Sequence, residues 1–402
     1  MNNRTMGSLP WKVSPLGFGC MRLPTTGIIP RVDERKAVEI IRYGIDRGIN
    51  YVDTAWMYHM GQSEKMLGRA LEGGYRDKVK LVTKLPMIFV RKTEDFSRYL
   101  DEQLQRLRTD YLDIYLFHML NQSNFDKMKR FDLLAKMEKA RNQGKLRHIG
   151  FSFHDTLPVF KEIIDYYPWE MTQIQYNYMD TGVQATTEGL EYAHKKGIAV
   201  VIMEPLKGGQ LANPPAEARA IIDAAPVKRA PVDWALQFLW NRPEVATVLS
   251  GMGSMKMVEE NCNSAEHSGI GSLSEAENGV INTLAETYRK KIIVPCTSCH
   301  YCMPCPSGVN IPQNFALLNN RSFLRVGKFS GKIVQWMVTR TYRRLAKNGR
   351  QLRDNKENGR ASLCTRCNAC IPKCPQKIAI PQELEKVVAV FEKGKKLESV
   401  VE

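Results

Sequence analysis

The sequence predicts an α/β chain: a (β/α)8 TIM barrel followed by a small, mostly α-helical domain rich in cysteine. Three observations carry this. Strand-like and helix-like runs alternate eight times with short connections, which implies a parallel sheet with right-handed crossovers that closes on itself. A chain of 402 residues has room for such a barrel, at ~250 residues, and for a further domain. Towards the C-terminus the composition shifts abruptly to two cysteine runs. The expected boundaries are 1–290 for the barrel and 291–402 for the second domain.

In order, Leu16-Gly-Phe-Gly-Cys-Met-Arg22 reads as the first strand and its turn. Residues Asp33–Arg47 carry Ala37, Ile40, Ile41, Gly44 and Ile45 at helical spacing, with Asp33 placed to cap them. The second strand, Ile49–Val52, is a short apolar run that ends at Asp53. Strands Lys80–Lys84, Leu112–His118, His148–Ser152, Thr172–Tyr176, Ile198–Met203 and Ala246–Leu249 follow. Helices Ser63–Leu71, Thr93–Leu107, Asp126–Gln143, Leu157–Asp165, Glu188–Lys196, Pro231–Trp240 and Met255–Ser264 lie between and after them, and Ser274–Lys291 closes the barrel region. A doubly wound sheet would carry Gly-x-Gly-x-x-Gly after its first strand, and Gly17-Phe-Gly19 is not continued that way.

The formal net charge is +16, and much of it lies between Arg321 and Arg360, where Lys and Arg far outnumber Asp354 and Glu357. No recognition motif accompanies this charge, so no nucleic acid is expected and a solvated helical face is the plain reading. No window approaches ~18 consecutive apolar residues, and no basic start precedes an apolar core. A soluble, cytoplasmic protein without a transmembrane segment is expected. Ten cysteines in such a chain point to metal or redox chemistry rather than disulfides.

Four polar residues fall where strands end or just beyond: Asp53, Tyr58, Lys84 and His118. The C-terminal ends of barrel strands are where catalytic groups are displayed. A carbonyl accepting hydride needs a proton donor beside its oxygen. Tyrosine is a weak acid with a reference pKa of ~10, and an adjacent ammonium favours its phenolate. Lys84 is that ammonium in this reading. Asp53 pairs with Lys84 and holds it, while His118 hydrogen-bonds the substrate oxygen or assists the proton.

This set resembles the tetrad of the aldo-keto reductase family. The surrounding words match too: Asp53-Thr-Ala-x-x-Tyr58, Gly61-Gln-Ser-Glu64 running to Leu71, and Gly17-Phe-Gly19. The resemblance implies a small carbonyl or alcohol substrate and NAD(H) or NADP(H) as coenzyme. Its coenzyme contacts carry over to Met21, Asp53, Ser152, Gln173, Leu206, Gly208, Gly251, Gly253, Ser254, Glu260 and Asn261. Four positions depart from the family pattern. Phe153 replaces the Asn that follows the family Ser, Met203 stands where an aromatic stacks on the ring, and Gly251 and Met257 stand where Lys and Arg often clamp a 2′-phosphate. The choice between NAD and NADP is therefore open.

The cysteine runs are Cys296-x2-Cys299-x2-Cys302-x2-Cys305-Pro306 and Cys364-x2-Cys367-x2-Cys370-x3-Cys374-Pro375. The second has the spacing of bacterial ferredoxins, and the first is one residue shorter in its last gap. Structural zinc sites take separated pairs, which fits runs of three poorly. The resemblance implies two [4Fe–4S] clusters with crossed ligation, one by Cys296, Cys299, Cys302 and Cys374, the other by Cys364, Cys367, Cys370 and Cys305. Cys20 and Cys262 read as small buried residues. Ile311–Asn320 and Phe323–Lys347 look helical, and Gly349–Arg360 reads as a polar loop. An acidic electron carrier, ferredoxin or flavodoxin, is an expected partner for the basic segment with Arg340, Arg343, Arg344 and Lys347. Two functions stay open: a carbonyl–alcohol oxidoreductase with clusters for electron transfer, and an iron–sulfur electron-transfer or redox-sensing protein that uses the barrel as a scaffold.

Overall fold

The computed structural model describes residues 1–27, 31–323, 340, 342 and 359–401. The chain forms two compact units, one of Met1–Pro205 with Val232–Ser274 and one of Leu206–Pro231 with Glu275–Glu402.

The first unit is a closed barrel of eight parallel strands: β1 (Leu16–Gly19), β2 (Tyr51–Asp53), β3 (Lys80–Leu85), β4 (Leu112–Leu120), β5 (Leu146–Phe153), β6 (Met171–Gln175), β7 (Ala199–Met203) and β8 (Val245–Ser250). Neighbours in sequence are neighbours in the sheet, and β8 pairs with β1 to close it. Every strand in this sheet is buried over most of its length, as a helix-covered parallel sheet requires. At Gly150 a Cβ would lie 2.4 Å from the Met171 carbonyl oxygen, so only glycine lets β5 and β6 approach this closely.

The helices α1 (Glu34–Asp46), α2 (Gln62–Ala70), α3 (Asp95–Leu107), α4 (Gln122–Arg130), α5 (Leu133–Asn142), α6 (Leu157–Tyr166) and α7 (Thr186–Lys195) cover the sheet. Asp33 caps α1 as expected, accepting from the Lys36 amide. One expectation is corrected. The helix expected over Asp126–Gln143 is two helices, α4 and α5, because Asp132 between them takes φ +50°, a left-handed conformation that no α-helix continues through. Two hydrophobic layers result. Outward-facing strand residues meet the helices, and a smaller interior cluster gathers Tyr51, Val82, Ile114, Met171 and Ala199 with Met6, Leu9 and Val13 from the N-terminal hairpin.

In the second unit, α8 (Ala216–Ala224) was not expected from the sequence. Beyond the barrel helices α9 (Pro231–Trp240) and α10 (Met255–Glu266) comes α11 (Glu275–Arg289), which Lys291–Glu217 and Arg229–Glu277 ion pairs tie to the α8 region. Helices α12 (Ile311–Phe323) and α13 (Ile380–Val387) share a core with Val294, Val309 and Ile378. Asn319 stitches this core to the incoming chain, accepting from the Ile293 and Val294 amides and donating to the Val294 carbonyl. The expected helix Phe323–Lys347, the loop Gly349–Arg360 and the basic segment lie outside the described residues, save Phe323, Arg340, Tyr342, Gly359 and Arg360. Arg340 is exposed. Among the described residues no helix is long and apolar enough to cross a membrane.

Candidate active site

At one mouth of the barrel the strand ends converge as the sequence predicts. Asp53 is the last residue of β2, Lys84 is next to last in β3, and His118 lies near the end of β4. Lys84 Nζ is 2.5 Å from Asp53 Oδ1 and donates to the Thr54 carbonyl at 2.8 Å. Both side chains are buried. The Lys84 ammonium lies 5.2 Å from the centroid of the Tyr58 ring, and the Tyr58 and His118 rings meet edge to face at 6.1 Å. All four residues stand together.

Tyr58 is brought there by an unusual turn. Residues Tyr58–Gly61 form a 3-10 segment in which His59 and Met60 both take positive φ. His59 Nε2 accepts from the Leu23 amide at 3.0 Å, fixing this turn to the loop after β1. Burial pushes the Asp53 carboxyl up and the Lys84 ammonium down, and the attraction between them opposes both shifts. Burial also holds His118 well below the ordinary histidine range, helped by the neighbouring charge of Lys84.

The residues carried over as coenzyme contacts divide. Met21 is half-buried in the turn after β1. Ser152 Oγ accepts from the Met119 amide at 2.8 Å, and Gln173 Nε2 donates to Asp53 Oδ2 at 3.1 Å, so both side chains already serve the strand ends. Ser254 caps α10, and Asn261 Nδ2 donates to Ser250 Oγ at 2.9 Å. Gly251 is exposed and carries the Arg22 side chain across it, with three Arg22 carbons 3.1–3.2 Å from where a Cβ would sit. Gly253 is close to the Arg22 carbonyl, and Glu260 is exposed beside Lys256. Leu206 and Gly208 belong to the second unit.

A model of the aldo/keto reductase family matches residues 15–271. The chain belongs to the aldo/keto reductase family. This reductase is 30% identical over 278 residues to L-galactose dehydrogenase of Arabidopsis thaliana, covering 64% of this chain and 86% of that protein. It is 28% identical over 197 residues to the NADH-specific methylglyoxal reductase of Escherichia coli, covering 45% of this chain and 59% of the relative. Among solved structures, an aldo-keto reductase from Klebsiella pneumoniae in complex with NADPH superposes with a TM-score of 0.60 at 25% identity, covering 71% of this chain and 96% of that one. The protein is an oxidoreductase of the aldo/keto reductase type.

The reductase site has supports that sequence reasoning missed. Glu64, read only as part of a motif, is fully buried and accepts from Thr83 Oγ1 at 2.7 Å, from Gln103 Nε2 at 2.6 Å and from Arg106 at 3.2 Å. Gln103 also donates to the Lys84 carbonyl. Thr54 and Ser63 share a hydrogen bond at 2.8 Å, and Ser63 donates on to the Cys20 carbonyl. The signal available was the motif Ser63-Glu64 itself, since a glutamate is rarely fully buried unless it has partners.

In the second unit, Cys296, Cys299, Cys302 and Cys374 line one small cavity, with Thr297, His300 and Phe315. Burial and the charges of Cys299, Cys296 and Cys374 raise the Cys302 thiol. The Cys374 sulfur meets the backbone amides of Gln376, Lys377 and Ile378, which favour its thiolate against burial. Burial likewise raises Cys370, whose charged neighbours are Cys305, Cys364 and Cys367. Each quartet thus mixes the two runs. Among the described residues no group of three or more His, Cys, Asp or Glu stands closed around a metal position. Cys20 and Cys262 are buried apart from both quartets.

Proposed function

We propose that this reductase interconverts a carbonyl and an alcohol, using NAD(H) or NADP(H), with Asp53, Tyr58, Lys84 and His118 as its catalytic residues. The observation that carries the reading is the Lys84 ammonium, buried between Asp53 and the Tyr58 ring. A bound nicotinamide supplies the hydride. Tyr58 donates the phenolic proton to the carbonyl oxygen, and the oxygen lone pair freed from that proton is stabilised by Lys84. Asp53, itself braced by Gln173, keeps Lys84 in place. His118, neutral in its buried position, hydrogen-bonds the substrate oxygen and orients it towards Tyr58. In the reverse direction Tyr58 takes the alcohol proton back. Relatives whose names specify NADH and NADPH support either coenzyme, and the Arg22 side chain lies across Gly251, one of the positions where the family often has a clamping cation.

The cysteine-bearing region, residues 291–402, is read as holding two [4Fe–4S] clusters. Cys296, Cys299, Cys302 and Cys374 would hold one, and Cys364, Cys367, Cys370 and Cys305 the other. Four thiols around one cavity, with Cys302 raised by burial and by the charges of Cys299, Cys296 and Cys374, suit a centre that supplies positive charge. Such clusters would pass single electrons to an acidic carrier. A reducing, cytoplasmic setting suits eight ligand thiols.

Replacing Tyr58 with Phe tests the catalytic reading. Carbonyl turnover is expected to fall at least ~10²-fold, the scale for losing a positioned acid, with nicotinamide binding retained in a fluorescence titration. Undiminished turnover in Tyr58→Phe sinks the assignment, and a protein that binds no nicotinamide favours the barrel as a scaffold.

A further inference from the structure

His154 stands immediately beyond β5, and its amide donates to the Leu120 carbonyl at the end of β4 at 2.9 Å. This places its imidazole at the same mouth of the barrel as His118, and it is buried there. The sequence offers no role for it. From its ring a line of side-chain hydrogen bonds runs through the loop after β6. His154 Nδ1 is 3.2 Å from Gln184 Oε1, Gln184 Nε2 is 3.2 Å from Gln175 Oε1, and Gln175 Nε2 is 2.8 Å from Asp180 Oδ2. The far end is anchored. Asp180 Oδ2 also accepts from Asn177 Nδ2 at 3.1 Å, and Asn177 Oδ1 accepts from the Met179 and Asp180 amides. Gln175, Asn177 and Asp180 are all buried. Gln184 sits at φ +57°, a left-handed position that a glutamine holds only where the surroundings fix it.

The chemistry of the anchor sets the direction of the whole line. A carboxylate only accepts hydrogen bonds, so Gln175 must turn its NH2 to Asp180. Its carbonyl then faces Gln184, which must turn its own NH2 there. The Gln184 carbonyl is left for His154, so Nδ1 carries the hydrogen. A neutral imidazole has one N–H, and Nε2 is therefore a bare acceptor.

We infer that His154 is a positioning residue of the reductase site, locked by the Asp180–Gln175–Gln184 relay as the Nδ1–H tautomer so that Nε2 acts as a fixed acceptor beside His118. Burial lowers His154 to about 4 and keeps the ring uncharged. Burial and the Lys84 charge keep His118 uncharged as well, so both rings stand as neutral imidazoles and His118 can act as a neutral hydrogen-bond donor to the substrate oxygen. The kinetic part of this inference rests on the reductase reading. The tautomer does not.

Long-range ¹H–¹⁵N correlation of histidine-labelled protein reads the tautomer directly. His154 is expected as Nδ1–H at pH 7. In Asp180→Asn, where the anchor is able to donate as well as accept, both tautomers or the Nε2–H form are expected. His154→Asn keeps a donor near Nδ1 and removes the Nε2 acceptor, so kcat should fall ~10-fold or more, on the scale of misplaced catalytic groups, with nicotinamide Kd unchanged. An Nε2–H or imidazolium His154 in the parent protein overturns the relay. The Nδ1–H form combined with full kcat in His154→Asn overturns the positioning role. Should Tyr58→Phe prove fully active while the parent tautomer is Nδ1–H, the reductase reading falls and the relay stands.

Discussion

Asp53 and Lys84 are each tolerated in the barrel mouth because the other is there. Both side chains are almost fully shielded, and removing one partner of such a pair leaves a buried charge that costs about 3–5 kcal/mol. Lys84→Met is therefore expected to lower stability on that scale as well as to abolish turnover. Asp53→Asn combined with Lys84→Met should recover a large part of the stability but none of the activity. Denaturant midpoints for the two single variants and the double variant measure this coupling, and additive losses would count against it. His154 gives a second residue-scale expectation, with its sign set by burial. Its folded pKa, about 4, lies below the ordinary value of about 6.5. Its stabilising contribution is thus fully present above about 6.5 and is lost as pH falls towards 4, because the unfolded chain takes up a proton that the folded ring refuses. At about 1.4 kcal/mol per pKa unit the loss is on the order of 3 kcal/mol. The ring is hydrogen-bonded to Gln184 and coupled to His118, and His118 shifts in the same direction. A stability profile between pH 7 and 4 should be flatter in His154→Asn than in the parent, and parallel profiles would show that the ring titrates elsewhere.

Among the elements, the turn Lys207–Ala212 is the one whose position decides most. It follows β7, yet its contacts put it in the second unit. Gly208 has φ +66°, and a Cβ on it would stand 2.3 Å from the Thr297 carbonyl oxygen, which is backbone and has little room to give. Two residues on, Gln210 Nε2 donates to the Cys296 carbonyl at 2.6 Å. Tyr288 of α11 backs the turn from the other side, its hydroxyl 3.4 Å from the Gln210 carbonyl. The turn therefore shapes the loop that carries the first cysteine. Gly208→Ala is expected to displace Thr297 and cost the first quartet its cluster, lowering iron content by about half, since each [4Fe–4S] centre has its own ligand set. Gln210→Leu should do the same more weakly. Iron and sulfide analysis of anaerobically purified protein checks this. Full loading of Gly208→Ala would sever the link between turn and quartet, whereas an iron-free parent would remove the cluster reading itself.

Across the whole molecule, the proposed function puts a two-electron site and one-electron centres on one chain. Hydride carries two electrons, and a [4Fe–4S] centre passes one, so direct exchange needs an intermediary such as flavin. Cluster reduction by NADH or NADPH alone is therefore expected to be slow, and reduction by an acidic one-electron protein fast and salt-dependent. Anaerobic stopped-flow absorbance over a salt series distinguishes the two, and rapid bleaching by the nicotinamide alone would show that the barrel feeds the clusters. Exposed Cys367, next to exposed Arg366 in the chain, makes the second quartet the more open of the two.

The order of the barrel strands and the clustering of Asp53, Tyr58, Lys84 and His118 were legible in the sequence for a physical reason. Both depend on local periodicity and on strand ends, and a parallel barrel necessarily brings its strand ends together at one mouth. Cysteine spacing is equally local. The break at Asp132 was not legible, because a non-glycine residue in a left-handed conformation leaves no mark on apolar periodicity. Nor was the employment of Gln173 and Ser152 by Asp53 and the Met119 amide, the burial of Glu64 among Thr83, Gln103 and Arg106, or the line from His154 to Asp180. Each joins side chains from different elements, and their meeting depends on strand register and on the course of loops. The tertiary structure alone also decided that residues 206–231 belong with the cysteines and not with the barrel that precedes them.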